Sequence, residues 1–211
     1  MYLPPAFAEK NPDVLWEIVR AHPLGLLISQ GQEGLVANAI PFEAVTAEEP
    51  AMLRAHMAKG NGQWRTLDGQ DVLVVFQGTN AYITPQWYAS KKEHGKVVPT
   101  WNYAMVQVKG RARVIDDKAW LHAQVSRLSD HHETTIANGH AWKATDAPEE
   151  FMQSQLKGII GVEITVRSID GKLKASQNRQ VADREGVVAG LSEQGAEHQL
   201  AMAKLVNGAG K

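Results

Sequence analysis

The order of apolar periodicities in this 211-residue chain predicts an α+β fold built on an antiparallel β-barrel. Three observations carry that expectation. Seven or eight strand-like runs are joined mostly by hairpins or short loops, helical patterns sit at both ends with one long helical insert, and the regular βαβ alternation of a doubly wound sheet is missing. With no internal repeat or low-complexity linker, one domain is expected over residues 1–182, with a helical insert over 117–157. A helical C-terminal extension follows over 183–211.

Asn11-Pro12-Asp13 reads as a helix start, with Asn11 as N-cap and Pro12 in the first turn, where its missing donor costs nothing. Val14, Leu15, Ile18 and Val19 form the apolar stripe, which Pro23 ends. The period then changes from 3.6 to 2. Residues 24–29 and 35–42 are two strands of a hairpin around the polar run from Gln30 to Gly34. A third strand, 51–57, has Leu53, Ala55 and Met57 on one face and Arg54 and His56 on the other. Residues 71–77 form a fourth strand, apolar enough to be covered on both faces, and Gly78-Thr79-Asn80 reads as a turn into a fifth over 81–84. The longest strand is 100–115, where Gly110 marks a bulge or a close backbone approach. Asp117 caps a helix over 118–138 whose buried stripe is Leu121, Val125 and Leu128, and a shorter helix follows near 148–157. Residues 159–169 alternate as a strand, Asp170-Gly171 signals a hairpin into 172–176, and the tail from Asp183 to Val206 is one or two helices stopped at Asn207-Gly208.

The 22 basic and 23 acidic residues leave a net charge of -1, which supplies no global field for nucleic acid or anionic lipid. Without cysteine, thiol catalysis, thiolate metal sites and disulfides are excluded. The N-terminus MYLPPAFAEK lacks a basic and apolar leader pattern, and no apolar run approaches the about 20 residues of a membrane helix, so a cytoplasmic protein with no membrane partner is expected.

Polar and aromatic residues concentrate in TNAYITPQWYASKKEHGKVVPTWNY, residues 79–103, which holds two of the six tryptophans, three of the four tyrosines and three lysines. Such a segment suits a planar anionic ligand, rings covering the plane and hydroxyl, amide and ammonium donors meeting the charge. Its alternative is a loop stapled to the barrel by Trp87 and Trp101, with solvated lysines. Arg54 and His56, followed by Lys59-Gly60-Asn61-Gly62-Gln63, resemble a phosphate cradle, with an exposed strand edge and ordinary turn as the other reading. Neither a Walker loop nor a Gly-x-Gly-x-x-Gly fingerprint is present. His131 and His132, near Glu133 and His140, diverge by about 100° on a helix and do not form a metal motif. Ser176-Gln177-Asn178-Arg179 either completes a pocket or caps the turn into the last helix, the spacing favouring the cap. Lys109, Arg111 and Arg113 form a basic stripe on one strand face, without a helix-turn-helix to accompany it. Trp64, Trp87 and Trp101 fall in the ligand-like segments, whereas Trp16, Trp120 and Trp142 call only for packing.

The chain resembles the PaiB family of FMN-binding split-barrel proteins, often labelled negative transcriptional regulators. The resemblance runs through MYLPPAF, LRAHM, GNGQW, AYITPQWY, HGKVVPTWNY and SQNR, and extends to about Leu191. It implies a six-stranded split β-barrel of the pyridoxamine-phosphate-oxidase type and a homodimer with FMN at its interface. It also implies that Arg54, His56, Asn61 and Gln63 lie near the phosphate and ribityl end, with Tyr82, Thr84 and Lys91 alongside. Thr100, Trp101 and Asn102 would border the ring, and Gln177 and Asn178 would close the pocket. Two places depart from the family pattern: Gly62 stands where Pro is commoner, and Thr84 and Gln86 stand where Ser is familiar. Three functions follow as expectations: a flavin-binding protein with FMN-dependent oxidoreductase activity on an unknown substrate, a DNA-binding negative regulator, and a haem-binding or haem-degrading split barrel.

Overall fold

A computed structural model describes residues 1–136 and 139–209. The expected end of the long helix at Ala137 and Asn138, and the last two residues of the 183–211 extension, lie outside the described residues. Among the described residues eight strands form one sheet: β1 (Ala8–Glu9), β2 (Leu24–Gly31), β3 (Gly34–Pro41), β4 (Glu43–Val45), β5 (Met52–Ala58), β6 (Asp71–Ile83), β7 (Thr100–Ile115) and β8 (Ile159–Lys174). Their hydrogen-bonded order is β3-β2-β6-β7-β8-β5-β4, with β1 added on β8. The helices are α1 (Pro12–Ala21), α2 (Trp64–Leu67), α3 (Ser90–His94), α4 (Lys118–Ile136), α5 (Glu149–Lys157), α6 (Val181–Gln194) and α7 (Glu197–Gly208). None of the described helices is long and apolar enough to cross a membrane.

The α+β antiparallel architecture agrees with the sequence, and the strand count is eight rather than six. The additions are short. β4 is a three-residue strand on β5, pairing Glu43 with Arg54, and β1 is a two-residue strand pairing Ala8 with Lys172. Two expected turns are absent. β6 runs unbroken through Gly78-Thr79-Asn80, where the buried positions change parity from Val72, Val74 and Phe76 to Ala81 and Ile83. The small and polar residues there mark a change of inward face, not a reversal of the chain. β8 likewise runs through Asp170-Gly171, because Gly171 pairs with Glu9 and a Cβ on it would lie 2.0 Å from Leu15 Cδ2. The glycine is there for that close approach.

The chain divides into two compact units, Met1–Ala21 with Gln77–Gln107 and the residues from Asp170 onward, and His22–Phe76 with Val108–Ile169. In the first unit Asn11 caps α1 as expected, its Oδ1 accepting from Asp13 N at 3.0 Å. Its core joins strand and helix, with Ala81, Ile83, Tyr88 and Ala175 packed against Val187 and Leu191 of α6 and Met202, Ala203 and Val206 of α7. Trp87 lies so close to α6 that a Cβ on Gly190 would sit 2.3 Å from its Cε2. The tryptophan at this point is a packing residue.

In the second unit β2 and β3 form a hairpin in register from Leu24↔Pro41 to Gly31↔Gly34. Phe42 and Phe76 meet edge to face at 5.9 Å in its interior. Gly110 is a site of close approach, since a Cβ there would stand 2.3 Å from the carbonyl oxygen of Thr165. Asp117 caps α4 through its Oδ1, which accepts from Trp120 N at 2.7 Å. Leu121, Ala144, Met152 and Leu156 then form a satellite core between the helices of the insert, with Trp120 and Val125 against it. Gln124 is a buried residue of α4 that the apolar stripe did not include.

Candidate functional site

In the first unit the alternation of two strands brings aromatic rings to the surface. Ala81 and Ile83 face the core of β6, so Tyr82 between them points outward; Asn102 and Ala104 are buried on β7, so Trp101 points outward too. Tyr82 is 48% exposed and Trp101 53%, and their rings stand edge to face with centroids 6.1 Å apart. A cavity of about 390 Å³ is lined by this pair with Asn80, Thr84, Trp87 and, from the C-terminal helices, Gln194, His198 and Gln199. Another cavity of about 390 Å³ shares Asn80 and Trp101 and adds Gln77, Gly78, Tyr103, Ala104 and Met105. Both volumes are in the range of small-molecule sites. The helix residues carry no local motif, and Thr79 ties α7 to this wall by donating from Oγ1 to the His198 carbonyl at 2.7 Å.

The remaining candidates of this unit are spread around the pair. Thr84 Oγ1 accepts from Gln86 N at 3.2 Å and caps the short 3₁₀ turn Pro85–Trp87, while the Lys91 ammonium donates to Gln86 Oε1. Thr100 Oγ1 accepts from the Lys174 ammonium. Asn102 is fully buried; its Nδ2 donates to Ser176 Oγ at 2.8 Å, and its Oδ1 has no partner. Gln177 folds back on its own loop, accepting from Ala175 N at 2.7 Å and donating to Leu173 O at 2.5 Å. Asn178 is exposed in the same turn, which Arg179 N closes on Ser176 O at 2.9 Å. Ser176 holds a left-handed backbone with φ 58°, an unfavourable state for a residue with a Cβ, and Asn102 grips it there.

The second unit holds the other four candidates, each engaged within it. Arg54 stands directly opposite Glu163 in the β5–β8 register and donates from Nε to Glu163 Oε2 at 2.8 Å, with Glu48 at 3.6 Å. Glu163 also accepts from Arg113 at 2.9 Å, so one largely buried carboxylate joins two guanidinium groups. His56 Nδ1 donates to Gln124 Oε1 at 2.7 Å, since an amide oxygen only accepts; Gln124 Nε2 is buried without a partner. Gln63 is buried and saturated: its Nε2 donates to Ser29 Oγ at 2.9 Å and Leu27 O at 3.1 Å, while its Oε1 accepts from Asn38 at 2.9 Å. Asn61 Oδ1 accepts from Gln63 N at 3.1 Å. Asn61 and Gln63 therefore share one network with Asn38, which stitches the β2–β3 hairpin to the loop before α2. Lys59 is paired with Asp116 at 2.9 Å.

Outside these places, His131 and His132 meet edge to face at 5.2 Å, and Glu133 accepts from Trp142 N at 3.3 Å. Among the described residues no group of three or more His, Cys, Asp or Glu side chains could hold a metal ion.

The antiparallel α+β sheet with flanking helices is the architecture of a split barrel. A family model described as "Putative FMN-binding domain" matches residues 1–168, and the chain belongs to that family. Within it, the chain is 31% identical to the protease synthase and sporulation protein PAI 2 of Bacillus subtilis, over 98% of this chain and 96% of the relative. It is 35% identical to an uncharacterized protein of Aspergillus fumigatus, over 98% and 96%. Among solved structures, a conserved hypothetical protein from Mycobacterium tuberculosis aligns with TM-score 0.58 and 11% identity, covering 85% of this chain and 94% of that one. The flavocytochrome Anf3 from Azotobacter vinelandii aligns with TM-score 0.56 and 14% identity, covering 79% and 69%. At such identities the likeness is one of fold.

Proposed function

We propose that this protein binds FMN as a homodimer, with the flavin ring against Trp101 and Tyr82. The observation that carries the reading is the exposed edge-to-face pair lining one cavity, with Trp101 also lining the second, where a large planar group gains ring contact on a surface otherwise costly to leave in water. Asn80, Thr84, His198 and Gln199 supply hydrogen-bonding groups at the same wall, and the buried Asn102 Oδ1 retains an unused acceptor. The residues fit the ring end of the cofactor. At the phosphate end, the Arg54 guanidinium already faces Glu163 and Glu48, and Gln63 has no free donor. FMN, when bound, supplies one- and two-electron redox chemistry, and the chain's own groups position it and exclude water from its ring.

The dimer finds support in the outward face of the β2–β3 hairpin, where Leu24, Leu26 and Leu35 are 63%, 40% and 78% exposed. A second copy would cover that face.

Titration of FMN into apoprotein, followed by flavin fluorescence, tests the reading. Saturable quenching is expected, and Trp101→Ala should weaken it about tenfold, the scale of one stacking contact. A protein that is colourless as purified and leaves FMN unquenched would sink the proposal. Titration with haem is the companion arm: a saturable Soret band with no flavin binding would favour the haem reading instead.

A further inference from the structure

The first unit gathers three cations that form no ion pair among the described residues. Lys172 and Lys174 lie two residues apart at the end of β8 and so share a strand face, and Arg179 follows in the Ser176–Arg179 turn. Lys172 is only 9% exposed; its ammonium donates to the Tyr2 carbonyl at 3.2 Å and lies 5.2 Å and 5.4 Å from the ring centroids of Tyr2 and Tyr103. Lys174 donates to the Thr100 hydroxyl, and the Arg179 guanidinium lies 4.6 Å over the Tyr88 ring. Among the described residues none of the three pairs with a carboxylate. The nearby Asp183 carboxylate is turned to Ser90, accepting from its N at 2.9 Å and its Oγ at 2.8 Å, and makes no ion pair with Arg179. The contrast with the second unit is sharp, since Arg54, Lys59, Arg111, Arg113, Arg127 and Arg167 there all face acids.

Holding like charges together in a partly desolvated place is unfavourable unless an anion enters between them. Burial lowers the Lys174 ammonium below the ordinary lysine range; the Tyr103 phenol opposes this, and the charges of Lys172 and Arg179 add to it. Tyr103, the ring over Lys172, is also a wall of the cavity that Trp101 lines. The charge therefore adjoins the aromatic site. We propose that Lys172, Lys174 and Arg179, with the Thr100 hydroxyl, form an anion subsite for the phosphate or carboxylate of a small ligand. Its occupant is either the phosphate of the flavin itself or the anionic group of a second molecule. The subsite does not depend on the flavin reading.

The test is calorimetric titration of inorganic phosphate into wild type, Lys174→Met and Arg179→Met at ionic strength held constant with sodium chloride. Saturable binding to wild type is expected, weakened about tenfold by either change, because a charge-assisted contact is lost. Thr100→Val keeps every charge and should weaken it less, which guards against misfolding as the cause. FMN and riboflavin distinguish the occupants. If the flavin phosphate sits here, Lys174→Met lowers FMN affinity and leaves riboflavin affinity unchanged; if a second molecule does, both flavin affinities stay unchanged while phosphate binding is lost. Phosphate binding without any flavin binding leaves the subsite standing and removes the flavin proposal. The subsite is overturned if phosphate binds the three proteins alike and the ratio of FMN to riboflavin affinity is the same in all.

Discussion

Tyr88 shows how much one side chain can report about its surroundings. It is 2% exposed, its hydroxyl has no hydrogen-bond partner, and Arg179 lies over its ring face. Burial raises its pKa above the usual 10.0; the Arg179 charge works against the rise, the Asp183 charge adds to it, and the approach of the Arg179 guanidinium, too poorly aligned for a full hydrogen bond, opposes it slightly. A raised value means that the folded protein keeps a proton that the unfolded chain releases. The resulting stability is present below pH about 10 and is lost as pH climbs from there through the folded-state value. Tyr88→Phe should thus match or exceed wild-type stability at neutral pH by up to about 1 kcal/mol, since it removes an unpaired buried hydroxyl. It should also decline less steeply in alkali. Urea denaturation at neutral and alkaline pH measures both, and a clear loss at neutral pH would mean that the hydroxyl has a partner after all.

Among the elements, α6 and α7 bear most directly on the candidate site, because they give Gln194, His198 and Gln199 to a cavity wall and most of the buried residues of the core cluster behind it. Leu191, fully buried in α6, is the point at which to test that role. Leu191→Ala should cost about 2–5 kcal/mol through lost burial and an incompletely filled cavity, read as a shift of the chemical-denaturation midpoint. A loss below about 1 kcal/mol would show that the helices contribute little to the core they cover. The insert helix α4 docks differently. Trp120, Gln124 and Arg127, spaced along one helix face, meet Gly161, His56 and Glu43 in turn. Two of these contacts are polar, which is why an apolar stripe alone did not include Gln124.

For the molecule as a whole, charge bears on the expectation of DNA binding. Net charge is -1, and the stripe that most resembles a nucleic-acid surface is largely neutralised, with Arg111 3.5 Å from Asp71 and Arg113 2.9 Å from Glu163. Binding to DNA releases counterions in proportion to the phosphates contacted, so a stripe whose arginines already face carboxylates has little to gain from it. The purified protein should give no sequence-specific gel shift, and any residual association should show a shallow salt dependence. A specific complex abolished by neutralising Lys109, Arg111 and Arg113 would reverse this conclusion.

Legible in the residues alone were the antiparallel α+β class, the caps at Asn11 and Asp117, and a bulge or close approach at Gly110, which proved to be the close approach. These follow from backbone geometry within a few residues, where period, donor count and the size of one side chain are visible directly. The fold was needed to show that Tyr82 and Trp101 point outward and that Gly78-Thr79-Asn80 and Asp170-Gly171 stay within strands, because that continuity depends on which core the next residues enter and on the contact of Gly171 with Leu15. It also decided which charges are spent. Arg54 is neutralised by Glu163, 109 positions away, whereas Lys172, Lys174 and Arg179 form no ion pair among the described residues. Ion pairing acts over ångströms of space and is indifferent to distance along the chain, so composition could count these charges but only the fold could match them.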